Sequence, residues 1–447
     1  MRDRDTVTRA EHPAVIAFSG VGLMGGAIAE RLRLQGHDLR VYDAAEAVRD
    51  RLRAGGFDVA ASLADACSGC DVVFLCLPDA AAVAASTREI LSASPAPGLC
   101  IDLTSSAPST TREVALQLAA GGIELVDAPV SGGVVGARAG RLTAIVGGTT
   151  ETVERATPWL QPFASNIMWA WPVGSGHAAK AINNALSAAS LTVTAEILVA
   201  GLTNGMSPWH LIAALNASDG RSQNSEVKFP DQILPRVFGA GFTSGLMLKD
   251  IGTVCAMADE VDAPIPMVRL LRERWSAFNG QFGRTADFTR IEEAIEQWSG
   301  SRAWSPADRE TSSRVDSHSD GVTPSLAAAT AAACAVAACE MLNLALRREM
   351  DVPRLLAILN ESSGRSQATR DLYPGIVLPR LETGSRLRDA EAALTTAVDV
   401  GQRGGVSVAT LVAAQQVLRI ARAGGNDPGF THLARVYSQW SGAEDAN

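Results

Sequence analysis

The sequence predicts an α/β domain with a parallel sheet, followed by two tandem all-α domains of which the second is a degenerate repeat of the first. Residues 14–172 alternate short apolar runs with helical patterns, which is typical of βαβ units. From about residue 174 the pattern becomes long, rich in Ala and Leu, and helical. Since one hydrophobic core rarely grows beyond about 250–300 residues, a chain of 447 residues is expected to form several domains.

The composition excludes several classes of function. The chain is 47% hydrophobic and 19% charged, and its net charge of −9 offers no basic surface for nucleic acid or anionic lipid. We therefore expect a small-molecule ligand and neither a nucleic-acid nor a membrane partner. Seven scattered cysteines form no disulfide framework, and six histidines show no ligand spacing, so no metal is expected. These features, with a charged N-terminus that lacks an apolar segment, indicate a cytoplasmic protein.

Two segments have features of a membrane helix and of a functional cysteine site, but neither assignment is favoured. Residues 326–346 are apolar enough to suggest a membrane helix, yet Glu340 and Asn343 lie inside the segment, so a buried helix is predicted. Cys67 and Cys70 form a Cys-x-x-Cys pair, but no second pair or nearby histidine completes a site. We assign this pair no role.

The strands and helices are predicted in the following order. Five strands are expected at residues 14–18, 38–42, 71–77, 99–102 and 124–127, and the first is followed by a helix at 26–35. Strand signals stop after Pro172, where a helix opens that extends up to Asn204. The predicted domains are a tail (1–13), the α/β domain (14–173), a helical domain (174–300), a linker (301–323) and a second helical domain (324–442).

The second half of the chain repeats itself. Residues 216–223 (NASDGRSQ) recur as residues 360–367 (NESSGRSQ), with six identities in eight positions at an offset of 144. The motif at 297–300 (QWSG) recurs at 439–442 with an offset of 142. The first offset also pairs Glu196 with Glu340, Met206 with Met350, Pro230 with Pro374, and Pro235 with Pro379. We interpret the shared Gly-Arg-Ser-Gln as helix-turn architecture.

A glycine-rich turn predicts a dinucleotide site of the Rossmann type. Between the first strand and its helix stand Gly20, Gly22 and Gly25, with Leu23 and Met24 in the same turn. Such glycines permit a tight turn, close approach of a pyrophosphate, and close packing of helix on strand.

The residue that ends the second strand favours NAD as the cofactor. Asp43 follows the turn by about 20 residues, where a carboxylate binds the ribose 2′-OH of NAD and repels the 2′-phosphate of NADP. Arg40 and Arg49 lie close by and leave NADP as the less favoured alternative.

Two further segments carry the expected chemistry. Ser131, Gly132 and Gly133 supply a hydroxyl and two glycine N–H groups suited to a substrate carboxylate, with an ordinary glycine turn as the alternative. Lys180 and Asn184 are four residues apart, on one face of the long helix. Burial and a cationic nicotinamide would lower the pKa of such a lysine and suit it to proton exchange with a hydroxyl.

These motifs together resemble the β-hydroxyacid dehydrogenase family, over roughly residues 14–300. The resemblance rests on the glycine turn, on 127–133 with Gly136 and Gly140, on 176–184, and on 242–251. It implies NAD-dependent hydride transfer with a small 3-hydroxy acid or its semialdehyde. It also implies a role for each matching residue: Lys180 as acid and base; Asn184 as substrate orienter; Ser131, Gly132 and Gly133 as carboxylate ligands; and Leu77, Pro78, Thr104, Ser105, Lys249 and Asp250 around the cofactor. His177, one turn before Lys180, is expected either to line the substrate pocket or to cap the helix.

The second copy lacks these residues. At its offsets, Lys180 falls on Pro324 and Asn184 on Ala328, while Lys249 and Asp250 fall on Glu391 and Ala392. Relatives with one copy usually pair it with a partner subunit, so the second copy is expected to replace that subunit and give a monomeric pseudo-dimer or a dimer. There are two alternatives to dehydrogenation: imine reduction, and NAD binding without catalysis.

Overall fold

The computed structural model describes residues 15–301, 304, 321–372, 386–423 and 429–440. The predicted tail at 1–13 and most of the predicted linker at 301–323 lie outside these residues, as do Pro374 and Pro379 of the repeat. The chain forms two compact units, Met1–Ala178 and Ala179–Asn447.

The first unit is built on one nine-stranded sheet. Its order is β3-β2-β1-β4-β5-β6-β8-β7, with β9 pairing to β8. The strands are β1 (Val15–Ser19), β2 (Asp38–Tyr42), β3 (Asp58–Val59), β4 (Val72–Leu75), β5 (Leu99–Asp102), β6 (Glu124–Asp127), β7 (Val130–Ser131), β8 (Leu142–Gly147) and β9 (Ala164–Ala170). The strands β1 to β6 pair in parallel, whereas β8 runs antiparallel to β6 and β7.

The sequence locates the central strands well because burial on both faces requires continuous apolar runs. All four residues of β4 are buried, as are those of β5. The predicted parallel sheet is present from β1 to β6, and the sequence did not predict the antiparallel pairing of β8 with β6. The helices of this unit are α1 (Leu23–Leu34), α2 (Glu46–Ala54), α3 (Leu63–Cys67), α4 (Ala80–Ser92), α5 (Pro108–Ala120), α6 (Gly133–Ala139) and α7 (Thr150–Leu160).

The second unit is helical, and its two halves repeat. The long helix α8 (Ser175–Thr203) begins in the first unit and continues into the second. The first copy continues with α9 (Pro208–Asn216), a π-helix (Asn224–Ile233), α10 (Ser244–Asp259), α11 (Pro266–Phe282), a 3₁₀ turn (Phe288–Arg290) and α12 (Ile291–Trp298). The second copy has α13 (Thr323–Arg347), α14 (Val352–Asn360), a π-helix (Ala368–Leu372), α15 (Leu387–Arg403), α16 (Ala409–Ala423) and α17 (Phe430–Trp440). The predicted duplication is confirmed helix by helix.

The long helix of each copy is a core helix. Both α8 and α13 are long and apolar enough to cross a membrane, but 94% and 83% of their most apolar windows are buried inside the protein. The apolar segment at 326–346 therefore forms the buried helix that the sequence predicts.

Each copy caps a helix of the other with a buried glutamate. Glu196 on α8 accepts hydrogen bonds from the backbone N–H groups of Thr410 and Leu411, both at 3.1 Å, at the start of α16. Its repeat equivalent Glu340 on α13 accepts two at 2.9 Å from the first turn of α11. The first N–H groups of a helix lack partners inside the helix, so each glutamate supplies hydrogen-bond acceptors for a helix start of the other copy. The two contacts are equivalent, which relates the copies by an approximate two-fold axis.

Candidate active site

The glycine turn after β1 requires glycine at two positions and leaves open space at a third. A Cβ on Gly20, whose φ is +87°, would lie 2.3 Å from the carbonyl oxygen of Cys76, and one on Gly25 would lie 2.0 Å from that of Gly20. A Cβ on Gly22 would meet no atom within 4 Å. Two glycines therefore serve the fold, and the third leaves open space at the N-terminus of α1. The turn also exposes 83% of Leu23, with Met24 beside it.

Asp43 is fixed beside this turn. Its carboxylate accepts hydrogen bonds from the N–H groups of Val21 at 2.9 Å and Ala45 at 3.0 Å. Arg40 donates to the carbonyl oxygens of Asp65 and Ser68, at 3.1 and 2.8 Å. Arg49 donates to the carbonyl oxygens of Asp43 and Ala44, at 2.6 and 3.0 Å. Both guanidinium groups are thus already engaged with backbone carbonyl oxygens of the protein.

The neighbouring strand ends lie at the same edge of the sheet. In the sheet, β1 lies between β2 and β4, and the order of the strands changes direction at this point. The carboxyl ends of β1 and β4 therefore flank the switch point where ligands of such sheets bind. Thr104, after β5, accepts a hydrogen bond from the N–H of Leu77 at 3.0 Å. The structure thereby brings Leu77, Pro78, Thr104 and Ser105 to the edge that carries the glycine turn.

The predicted carboxylate-binding turn joins β7 to α6. Ser131 is half-buried, whereas Gly132 and Gly133 are exposed and have φ values of +125° and +67°. A Cβ on Gly132 would also lie 2.9 Å from the Leu142 side chain. Glycine at both positions therefore follows from the backbone conformation, which leaves this turn of backbone open to solvent.

His177 lies inside the first unit. Its side chain is fully buried, and its Nδ1 lies 2.8 Å from the Thr111 hydroxyl. Its Nε2 is 4.0 Å from a carboxylate oxygen of Asp102, whose pKa is raised by burial. The structure thus places His177 in an internal polar cluster with Thr111 and Asp102, and the expectation that it lines a substrate pocket stays a prediction.

Asp127 anchors the start of α8, a role that the sequence did not reveal. Its two carboxylate oxygens accept hydrogen bonds from the N–H groups of Gly174 at 2.6 Å and His177 at 2.7 Å. A Cβ on Gly147 or Gly176 would lie within 2.2 or 2.8 Å of these oxygens. The glycine spacing around residue 176 is the signal that could have shown this close approach.

Lys180 and Asn184 lie in the second unit with Lys249 and Asp250. The amide of Asn184 donates to the Asp250 carboxylate at 2.6 Å, and the Lys249 ammonium is 4.0 Å from the same carboxylate. Lys180 is only 7% exposed. Burial lowers the pKa of its amine, Asp250 opposes this effect, and Lys249 adds to it. The helix spacing that predicted a shared face for Lys180 and Asn184 thus leads to a cluster in which Lys180, Asn184 and Asp250 are buried and Lys249 is half-buried.

The cysteine pair left without a role is buried. Burial raises the pKa of the Cys67 thiol to about 12, and it also raises the pKa of Cys70. Since the thiolate is the reactive form, neither thiol is poised for redox chemistry.

Comparison with known families matches both units. The model for the NAD binding domain of 6-phosphogluconate dehydrogenase matches residues 15–171. The model described as NAD-binding of NADP-dependent 3-hydroxyisobutyrate dehydrogenase matches twice, at residues 174–295 and 326–437. The second family model thus matches each helical copy separately.

Individual relatives agree with these matches. The chain is 37% identical over 270 residues to 3-hydroxyisobutyrate dehydrogenase of Pseudomonas aeruginosa, covering 58% of this chain and 91% of the relative. It is 33% identical over 294 residues to the NAD-dependent L-serine dehydrogenase of that bacterium, covering 64% and 99%. The fold of 6-phosphogluconate dehydrogenase from Plasmodium falciparum aligns with a TM-score of 0.63, covering 92% of this chain and 94% of that one at 14% identity. At this identity the likeness concerns the fold alone.

Proposed function

Because the chain belongs to the β-hydroxyacid dehydrogenase family, we propose that it transfers a hydride between NAD and a small 3-hydroxy acid, with Lys180 as general acid and base. The observation that carries this proposal is the buried amine of Lys180, in one cluster with the hydrogen-bonded pair of Asn184 and Asp250. An amine whose pKa is lowered by burial exchanges protons near neutral pH more readily than an exposed lysine does.

The proposed chemistry divides between cofactor and protein. NAD, when bound, supplies the acceptor for the hydride that leaves the carbon bearing the hydroxyl group. The neutral amine of Lys180 takes the hydroxyl proton as the carbonyl forms, and its ammonium form returns that proton in the reverse direction. Asn184 uses one amide N–H for Asp250. Since an amide group has two N–H donors, its second N–H can orient the substrate hydroxyl.

Relatives and the residues at the site support the proposed substrate class. The relatives named for 3-hydroxyisobutyrate and L-serine act on acids that share a carboxylate and a primary hydroxyl group. Ser131, Gly132 and Gly133 are proposed to hold the carboxylate through the exposed backbone of their turn. These three residues carry no charged side chain, which favours a carboxylate over the larger charge of a phosphate ester.

NAD is proposed as the cofactor in preference to NADP. Asp43 places a fixed carboxylate beside the glycine turn, where it would accept the ribose 2′-OH and repel a 2′-phosphate. Arg40, which could have paired with that phosphate, is engaged with backbone carbonyl oxygens on α3 and with Asp58. The expected result is tighter binding of NADH than of NADPH.

A substrate screen tests the proposal. Purified protein with NAD is offered 3-hydroxyisobutyrate, L-serine, glycerate and 3-hydroxypropionate, and NADH absorbance is followed. At least one of these acids is expected to be oxidised, and the series shows which group the enzyme accepts beside the hydroxymethyl carbon. Failure to oxidise any of them, and to reduce the matching semialdehydes with NADH, would overturn the assignment.

A further inference from the structure

The two helical copies present the same Gly-Arg-Ser-Gln motif to each other. Gln223 donates its backbone N–H to the carbonyl oxygen of Arg365 at 2.9 Å, and Gln367 donates to that of Arg221 at 3.0 Å. Between these bonds Ser222 and Ser366 form an antiparallel bridge. The backbone contact is therefore symmetric, as two copies of one motif require.

The glycines of the two motifs pack on equivalent points of the opposite long helices. A Cβ on Gly220 would lie 2.8 Å from the carbonyl oxygen of Ala327 on α13, and one on Gly364 would lie 2.8 Å from that of Asn183 on α8. Asn183 and Ala327 are 144 residues apart, so they are repeat equivalents. A Cβ at either glycine would thus meet the same steric obstacle, a backbone carbonyl oxygen of the other copy.

The side chains at these points break the symmetry. The side-chain oxygen Oδ1 of Asn183 accepts a hydrogen bond from the N–H of Gly364 at 2.7 Å, and its side-chain nitrogen Nδ2 donates to the Ser363 hydroxyl at 2.9 Å. Ala327, at the opposite point, has no polar side chain to make such bonds. The side-chain hydrogen bonds of this contact are therefore made by the copy that carries Lys180. The equivalent residue of the other copy cannot make them.

These bonds continue into the proposed catalytic cluster. Asn183 donates its amide N–H to the side-chain oxygen of Asn184 at 3.1 Å, and Asn184 donates to Asp250 at 2.6 Å. Asn183, Asn184 and Asp250 are each at most 5% exposed. In such a buried network each amide keeps its orientation through its partners, since an unpaired buried polar group costs about 1–3 kcal/mol.

We propose that Ser363 and Gly364 of the second copy position the catalytic side chains of the first, by holding Asn183 so that Asn184 stays aligned with Asp250. The second copy has lost its own chemistry but completes the site of its neighbour. This inference rests on the proposed function, because positioning matters only where Asn184 and Lys180 act on a substrate.

The test compares two matched glycine variants. Gly364→Ala places a methyl group against the Asn183 backbone and side chain, whereas Gly220→Ala makes an equal 2.8 Å approach to the carbonyl oxygen of Ala327, whose side chain makes no polar contact. Because misplacement by about 1 Å can cost about 10²-fold in rate, Gly364→Ala is expected to lower kcat by about tenfold to a hundredfold with unchanged NADH affinity. Gly220→Ala is expected to keep kcat within about twofold at a comparable loss of thermal stability. Equal kcat values in the two variants would overturn the inference.

A second pair of variants gives a readout that does not depend on turnover. Ser363→Ala and Asn183→Ala each remove one side of the 2.9 Å hydrogen bond, and their effects on the free energy of unfolding are measured singly and together. Contacting residues are not additive, so the double variant is expected to lose less stability than the sum of the single losses. Strict additivity would overturn the contact itself. Wild-type protein inactive on every 3-hydroxy acid would instead overturn the proposed function, and this inference with it.

Discussion

The buried carboxylate of Glu340 is expected to make the stability of the helical unit depend on pH. Burial raises the pKa of Glu340 from 4.5 to about 7, although two backbone N–H groups and the Tyr437 hydroxyl donate to it. Those three donors favour the ionised form, and the loss of hydration on burial exceeds their effect. Glu340 is fully buried, so solvent does not screen the difference.

The sign and size of the effect follow from this shift. Between about pH 4.5 and pH 7 the folded protein keeps the Glu340 proton that the unfolded chain has lost, so folding becomes less favourable as the pH rises through this window. Since one pKa unit corresponds to about 1.4 kcal/mol, the free energy of unfolding of the wild-type protein is expected to fall by about 2.5 kcal/mol between pH 5 and pH 8 because of this residue. Below pH 4.5 both states are protonated at Glu340, and its contribution is constant.

Urea unfolding of the wild type and of Glu340→Gln over this pH range isolates the residue, because every other titrating group is common to both proteins. The variant carries a neutral amide at all pH values, so its free energy of unfolding is expected to fall by about 2.5 kcal/mol less than that of the wild type over this range. Parallel stability curves for the two proteins would refute the reasoning, because they would show that Glu340 does not change its proton affinity on folding.

Four further substitutions test the cofactor site and the helix start. Gly22→Ala adds a Cβ that meets no atom within 4 Å, so thermal stability is expected to stay unchanged while the affinity for NADH falls. Gly25→Ala is instead expected to disrupt the turn itself. Asp43→Ser removes the carboxylate that accepts the N–H of Val21, so the affinities for NADH and NADPH are expected to become more similar in binding titrations. An unchanged ratio of the two affinities would contradict the role of Asp43 in selecting NAD. Asp127→Asn replaces one acceptor of two backbone N–H groups by a donor and should lower the free energy of unfolding by about 1–3 kcal/mol, which an unchanged urea midpoint would contradict.

Local patterns in the sequence were sufficient to predict five of the nine strands of the α/β unit, and β3, β7, β8 and β9 were not predicted. The strands Asp38–Tyr42, Leu99–Asp102 and Glu124–Asp127 have the predicted bounds, because apolar runs between turn residues mark buried parallel strands. The long helix ends at Thr203, one residue before the predicted limit. Strand Ala164–Ala170 was missed, since most of its residues are only half-buried and its apolar pattern is weak.

The site was predictable only where its residues are close in sequence. Lys180 and Asn184 share a helix face at a spacing of four, so the periodicity was enough to pair them. The partners of Asn183 and Glu196 lie 181 and 215 residues farther along the chain. No local pattern reports such contacts, and only the offset of the repeat indicates which residues face each other.

Central to the account is a proton that moves through the amine of Lys180. The most direct test is the turnover of Lys180→Ala with the hydroxy acid identified in the screen, beside a titration of its NADH affinity. General acid and base groups contribute about 10²–10⁴-fold to rate, so kcat is expected to fall by that factor while NADH binds as tightly as to the wild type. A variant that turns over at nearly the wild-type rate would contradict the assignment of Lys180 as the catalytic acid and base.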